Sequence, residues 1–314
     1  MNNNAKITGP QVPKAGEIFL DHIAWFVPNI SLASKAFDQL GFNLTPFVAQ
    51  SNLNPSGGAP IPAGTGNRCA MLHRGYLEIL TTVDGEENTQ LAQQLTHSLQ
   101  RYTGVHLIAF SVDDTEAAYE RLDREGFCPL EPVNLRRPIQ LEDGEQGEVA
   151  FTVLRVPPNC MEEGRVQILR QETPELVWRE ELIARENGLS ALQGVLIAVS
   201  HPENAVDRFS RFTGKAANET EGYFNIDLDR GRISIVSEKK CLELLPQTEI
   251  PALPYMAAVI LQSENLSKTK SFLEKKGINY SRLSGGVIKM NQSDGMGATI
   301  VIVAQQEHWP LLCV

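Results

Sequence analysis

The first ordered signal in the chain is a nearly unbroken apolar run at residues 19–27, Phe-Leu-Asp-His-Ile-Ala-Trp-Phe-Val, which has the length and partly β-branched character of a strand. Pro28-Asn29 breaks it. Ser31 then predicts a helix N-cap, with Leu32, Ala36, Phe37 and Leu40 spaced along one helical face and Gly41 at the stop. A Gly/Pro-rich stretch at 54–66 reads as a loop. Strands are expected over 68–72 and 76–83, joined by a turn at 73–75.

The same order recurs. A second copy opens at 105–112, breaks at Asp113-Asp114, runs a helix over 115–126 and closes with strands at 148–156 and 165–169. A third opens at 195–199, with a helix over 202–213 and strands at 223–228 and 232–237. A fourth opens at 257–261, with a helix over 266–276 and strands at 287–290 and 298–303. The terminating glycines are Gly41, Gly126, Gly214 and Gly277, and the same distance back from each falls at His22, Leu107, Val195 and Ala258, inside the opening strand. Four copies of one βαβββ unit follow. They divide the chain into an arm at 1–17, a first domain at 18–171, a linker at 172–190 and a second domain at 191–314.

Composition narrows the partners. The 314 residues carry a net charge of −10, with 28 Lys plus Arg against 38 Asp plus Glu. An acidic chain lacks the electrostatic footprint of a nucleic-acid binder and the basic face that anionic membranes attract. No apolar run approaches the roughly 20 residues of a membrane span. The five cysteines form no CxxC pair, which argues against zinc ribbons and disulfide frameworks. With no apolar segment near Met1, a cytoplasmic location is expected.

Tandem βαβββ units, the opening Leu20-Asp21-His22-Ile23 with Val27-Pro28-Asn29 and Leu40-Gly41-Phe42, and the later Gly75-Tyr76-Leu77-Glu78-Ile79-Leu80 resemble a glyoxalase-like protein of the vicinal oxygen chelate superfamily. The resemblance covers about 18–170 well and 190–305 weakly, through pattern more than residues. It implies an α+β fold in which four βαβββ modules pair into two glyoxalase-like domains with curled mixed sheets. It also implies one divalent metal, Fe, Mn, Ni or Zn, with ligands from the opening and fourth strands of each module. That places His22 and Glu78 in the first module. In the second, Gln167 stands at the Glu78 position and Leu107 at the His22 position, with His106 one residue early. A bulge would turn His106 inward and complete a two-His-one-carboxylate set; without one it lies on the other face of the sheet.

The residues supply their own argument for Glu78. A carboxylate between Leu77 and Ile79 in an apolar strand needs a metal, a cation or a wet cavity, because Glu is depleted in strands and rarely buried unpaired. Arg136-Arg137 are read as a carboxylate or phosphate clamp in a loop, or equally as a solvated charge pair. Asn67 is read as a substrate contact or a cap on the strand edge, Gln167 as a substrate contact, a weak metal ligand or a group that orients a metal-bound water, and Trp178 as an anchor for the linker. Val195 and Ala258 at the His position, with Ser234 and about Ile300 at the Glu position, leave the second domain without strong ligands. The expected function is a metal-dependent lyase, isomerase or dioxygenase acting on a small oxygen-chelating substrate. The alternatives are a metal-free protein of the same fold that binds or sequesters a small molecule, and a structural protein with a vestigial cavity. Pairing between two copies of the chain is left open.

Overall fold

The computed structural model describes residues 11–52, 54, 56–141, 144–183, 186–304 and 309–310. Of the expected arm, 1–10 lie outside the described residues. Gln11 lies against the body, donating to the His73 carbonyl at 2.8 Å.

The first unit comprises β1 (Phe19–Phe26), α1 (Ile30–Gln39), β2 (Val48–Asn52), β3 (Ile61–Met71) and β4 (Tyr76–Thr82), followed by α2 (Gln90–Arg101). The second has β5 (Gly104–Ser111), α3 (Thr115–Arg124), β6 (Val133–Gln140), β7 (Gln146–Arg155) and β8 (Arg165–Gln171), followed by the short α4 (Pro174–Val177). The third has β9 (Leu189–Val199), α5 (Pro202–Thr213), β10 (Ala217–Thr220), β11 (Tyr223–Asp227) and β12 (Arg232–Ser237), followed by α6 (Glu238–Leu244). The fourth has β13 (Tyr255–Ser263), α7 (Leu266–Lys275), β14 (Tyr280–Arg282), β15 (Ile288–Met290) and β16 (Thr299–Ala304). All four are βαβββ.

The units pair two by two into eight-stranded sheets ordered β2-β3-β4-β1-β5-β8-β7-β6 and β10-β11-β12-β9-β13-β16-β15-β14. Each sheet is mixed, with the opening and fourth strands of a unit parallel and the two opening strands antiparallel at the centre. In the first sheet the edge strands β2 and β6 touch, so the sheet curls nearly into a barrel.

Several local expectations change. Asn29 rather than Ser31 caps α1, its side chain accepting the Leu32 N–H at 3.0 Å; a short amide side chain in extended backbone suits that role. The stretch 54–66 is only partly loop, because β3 begins at Ile61 and pairs with β2. The Arg136-Arg137 region is strand β6, with alternating exposure along its length. Helices α2 and α6 were not anticipated. Each follows the last strand of a unit and lies outside the repeat.

The register also tests the glycine count. All four terminating glycines have left-handed φ, between 68° and 80°. Cross-strand pairing equates His22, Leu107 and Ala258 as expected, but the third copy's equivalent is Gly194, not Val195. The spacing from strand to N-cap is constant, His22 to Asn29, Leu107 to Asp114, Gly194 to His201 and Ala258 to Asn265, so the discrepancy arises in α5, which runs one residue further to its glycine. Glu78 corresponds to Gln167 and Ser234, and in the fourth copy to Val301 rather than Ile300.

The main core lies between the two sheets. One face of each sheet, through Ile23, Trp25, Ile108, Ile197 and Val259, packs with Phe37 of α1, Leu122 of α3, Phe209 and Phe212 of α5 and Leu273 of α7. Trp25 donates to the Gly295 carbonyl at 2.9 Å, tying the first sheet to the last unit. No helix among the described residues is long and apolar enough to cross a membrane. Because one core serves both sheets, unfolding in urea should give a single transition, with far-UV circular dichroism and tryptophan fluorescence superimposing. Phe209→Ala, at a fully buried ring, should lower stability by about 3–5 kcal/mol without splitting that transition.

Candidate functional site

The inner face of the first sheet is where the chemistry collects. Strand alternation puts Ala24, Phe26, Leu80, Leu107, Ala109, Val153 and Leu169 there as an apolar floor, on which α2 packs through Leu95. The same parity brings in His22 on β1, Asn67 and Cys69 on β3, Tyr76 and Glu78 on β4, Arg137 on β6, Arg155 on β7, and Arg165, Gln167 and Gln171 on β8.

His22 owes its setting to a bulge. The pairing of β1 with β5 steps from Leu20 to His22 while its partner advances one residue, so Asp21 is the extra residue. Its fully buried carboxylate turns to the same side as His22. One oxygen lies 2.8 Å from His22 Nδ1 and the other accepts from Gln171 Nε2 at 2.7 Å; Gln171 in turn accepts from Trp178 Nε1 at 2.7 Å. A carboxylate can only accept, so Nδ1 carries the proton and Nε2 is the free nitrogen. The ring stacks on Tyr76 at 4.3 Å. Nε2 faces Glu78 Oε2 at 3.8 Å, too far for a direct hydrogen bond.

Glu78 is 5% exposed and is held from its other oxygen. Asn67 Nδ2 donates to Oε1, and Gln50 Nε2 reaches the same atom at 3.5 Å, itself fixed by a 2.7 Å bond from the Thr65 hydroxyl. Cys69, directly across the ladder from Glu78, has its thiol pushed up to about 12 by burial and then by that carboxylate, so it is not a nucleophile at neutral pH. Burial, with Asp21, Cys69 and Glu78 nearby, holds the Tyr76 phenol well above its usual range.

His106 does sit at a bulge, the one on β5 between the partners of Ala24 and Trp25. The bulge makes it the counterpart of Asp21, not of His22. Its Nε2 lies 2.8 Å from the Tyr102 carbonyl, its ring stacks on Tyr102 at 3.9 Å, and it approaches Phe26. Among the described residues no group of three or more His, Cys, Asp or Glu side chains is placed to hold a metal ion. His22 and Glu78 are therefore brought together and His106 is not. Arg136 points outward and pairs with Glu148 at 2.7 Å, whereas Arg137 points inward. Gln167 faces the site, across the ladder from Arg155.

The partners that sequence reasoning missed are Asp21, Gln171, Gln50, Arg155 and Arg165. Only Asp21 carried a signal, a carboxylate beside a histidine in an apolar strand. The others become visible only once the sheet has curled.

In the second domain the corresponding face is filled. Leu196, Ala198, Val301 and Val303 pack there against Cys241, Leu245 and Trp309 from α6 and the segments outside the repeat.

Burial, and then the positive charge of Arg101, depress the His106 imidazole to about 4, against the opposing effect of its bond to Tyr102. Unfolded, it titrates near its ordinary value of about 6.5. The unfolded chain therefore takes up the proton first as pH falls. The contribution of neutral His106 is fully present above about 6.5 and is lost as pH drops towards 4. His106→Leu should flatten the dependence of unfolding free energy on pH across that window by up to about 3 kcal/mol, measured by urea titrations at a series of pH values.

Comparison with known proteins agrees with this architecture. The sequence matches the family described as Glyoxalase-like domain over residues 20–213, more than half of the chain. A sequence comparison with curated proteins finds no match. Among solved structures, a hypothetical protein from Staphylococcus aureus is similar with a TM-score of 0.61 and 14% identity, over 91% of this chain and 99% of that one. A xylose isomerase-like TIM barrel/4-hydroxyphenylpyruvate dioxygenase fusion protein gives 0.53 and 10%, over 96% of this chain and 51% of its own length. A mutant of 4-hydroxymandelate synthase from Streptomyces coelicolor gives 0.52 and 11%, over 94% of each chain. At these identities the structural likeness speaks for the fold, and the sequence match for the family: the chain belongs to the glyoxalase-like domain family of the vicinal oxygen chelate superfamily.

Proposed function

We propose that the interior of the first sheet is a small-molecule site that works by proton transfer at His22, without a tightly held metal. The observation that carries this reading is the fate of the four pseudo-symmetric ligand positions. His22 and Glu78 occupy two of them. Leu107, with no donor atom, and Gln167, a neutral amide, occupy the others. His106 bonds the Tyr102 carbonyl through Nε2 and leaves Nδ1 unpaired, but its ring lies against Tyr102 and Phe26, and among the described residues no three His, Cys, Asp or Glu side chains come together with it. Two strong donors and one neutral amide leave much of a coordination sphere to solvent, and Arg155 and Arg165 place positive charge near Glu78, where a divalent cation would have to sit. The donor set does not fit the metal that the superfamily implies.

What remains suits acid–base chemistry. Asp21 holds the His22 tautomer and ring, and stabilises the imidazolium when Nε2 takes a proton. Glu78 lies on the far side of the same gap. A hydroxycarbonyl substrate would lose the proton on the carbon between its hydroxyl and carbonyl to His22 Nε2, and the resulting enediolate would take that proton back from the imidazolium at the neighbouring carbon, an isomerisation with no redox partner. A second reading, binding without turnover, is favoured by the burial of both His22 and Glu78, at 4% and 5% exposure.

The test is solvent exchange. Chelator-treated protein should catalyse deuterium uptake in D2O at the carbon next to the carbonyl of small hydroxycarbonyl compounds, followed by proton NMR. His22→Ala should abolish the exchange, and Asp21→Asn should slow it about 100-fold or more by releasing the tautomer. Exchange that disappears on chelation and returns with added metal would overturn the metal-independent reading. A ligand that binds in the same spectra without exchanging supports the second reading.

A further inference from the structure

The inner face carries three guanidinium groups that the proton-transfer reading does not use. Arg137 lies within electrostatic reach of Cys69 and Tyr76, and Arg155 and Arg165 within reach of Glu78 and of each other. They come from three adjacent strands, β6, β7 and β8, and the β2–β6 contact that curls the sheet brings this wall round to face β1 and β4.

None of the three has a carboxylate partner among the described residues. The Nε atoms of Arg137 and Arg155 are buried without a hydrogen-bond acceptor. Arg165, 8% exposed, is oriented by neutral groups only: its Nε donates to Gln94 Oε1 at 2.8 Å, its Nη2 to the Leu91 carbonyl at 3.2 Å, and its plane lies over the Phe26 ring at 5.0 Å. The nearby carboxylates are already engaged, Asp21 by His22 and Gln171, and Glu78 by Asn67 and Gln50. Burial pushes the Arg165 guanidinium down to about 9 and lowers Arg155 as well, yet Arg165 at least stays cationic at neutral pH. Against a chain charge of −10, this interior has three cations facing two anions. A buried charge without a partner is costly, and a guanidinium fork matches an oxyanion in shape.

Resting on the site proposed above, we infer that its ligand is a small organic oxyanion, a carboxylate or a phosphate ester, whose charged group is held by Arg155 and Arg165 with Arg137 alongside. The anionic group docks on the β7–β8 side and the rest of the molecule extends towards His22 and Glu78 on β1 and β4. Arg165 is presented by its bonds to α2, while the unpaired Nε of Arg155 supplies a free donor. Net positive charge in the interior also draws an anion in past an acidic exterior.

The experiment is titration calorimetry on the full chain with malonate, inorganic phosphate and the neutral malonamide. Malonate or phosphate should bind, and malonamide should bind at least about tenfold more weakly. Binding of malonate alone identifies a carboxylate ligand and of phosphate alone a phosphate ester; both outcomes support the inference. Arg155→Gln should weaken anion binding about tenfold or more. Arg155→Lys, which keeps the charge and loses the fork, should fall between that variant and the wild type. Arg136→Gln, on the outer face, should leave binding unchanged. Urea unfolding of Arg155→Gln serves as the folding check, and Arg155→Lys keeps the comparison interpretable if Arg155→Gln is unstable. Equal binding of malonamide and malonate, or anion binding insensitive to both Arg155 variants, would overturn the oxyanion inference while leaving the site intact. Absence of binding by all three probes overturns the oxyanion inference; the exchange assay then decides separately whether the proton-transfer site stands.

Discussion

The antiparallel seam between β1 and β5 is the constraint on which the rest depends. It joins two βαβββ units about a local two-fold, and it carries one bulged residue on each strand, Asp21 and His106. A bulge adds a residue that the partner strand cannot match, and so turns an extra side chain towards a face that strict alternation would deny it. At Asp21 that side chain is a carboxylate placed against its own neighbour, His22. At His106 the same backbone device delivers an imidazole to an apolar niche beside Tyr102 and Phe26. The two positions are equivalent in the backbone and opposite in chemistry. The second sheet repeats the device with Gln193 on β9 and Ala257 on β13, so the bulge belongs to the fold and the residue in it decides the use.

Asymmetry between the two halves of the first sheet follows from the same seam. The half built from β1 and β4 keeps His22 and Glu78, both buried, the first oriented by the Asp21 carboxylate and the second by the neutral amides of Asn67 and Gln50. Its counterpart on β5 and β8 replaces them with Leu107 and Gln167 and adds two guanidiniums nearby, Arg155 and Arg165. One side of the interior therefore offers a base and an acceptor, and the other offers positive charge. On the reading proposed above, such a division would orient an anionic ligand by its charged end and leave the opposite end for proton transfer.

Much of the fold was legible because it is written four times. A single apolar run is ambiguous between strand and buried helix, but four runs at a common distance from four glycines are not. The one slip, Val195 for Gly194, came from a single added residue in α5, which no count based on the glycine can detect. The Gly/Pro-rich stretch hid the start of β3, because composition favours a loop and pairing with β2 overrides it. At the site, His22 and Glu78 were legible through their positions in the repeat. Arg155, Arg165 and Gln50 were not. Each is an ordinary polar residue in an ordinary strand, and only the curl of the sheet makes them neighbours. For His106 the sequence left two possibilities open, a bulge that turns it inward or a place on the other face; the bulge is there, but it puts the residue in the niche equivalent to that of Asp21 instead of that of His22.

The second domain carries other residues on the same scaffold. Its equivalents of His22 and Glu78 are Gly194, Ala258, Ser234 and Val301. Ser234 spends its hydroxyl on Asn225 at 2.7 Å, and the inner face is closed by Leu245, Cys241 and Trp309. At the positions of Arg155 and Arg165 it carries Lys289 and Thr299, both buried, the ammonium donating to the Pro246 carbonyl and the hydroxyl meeting that of Thr248 at 3.2 Å. Filling an interior with hydrocarbon is the stabilising choice, whereas lining one with uncompensated guanidiniums and a half-partnered carboxylate is costly. The shared core between the sheets lets the second domain support the first, since Trp25 behind the His22 strand is tied to Gly295 and packs in a cluster that spans both.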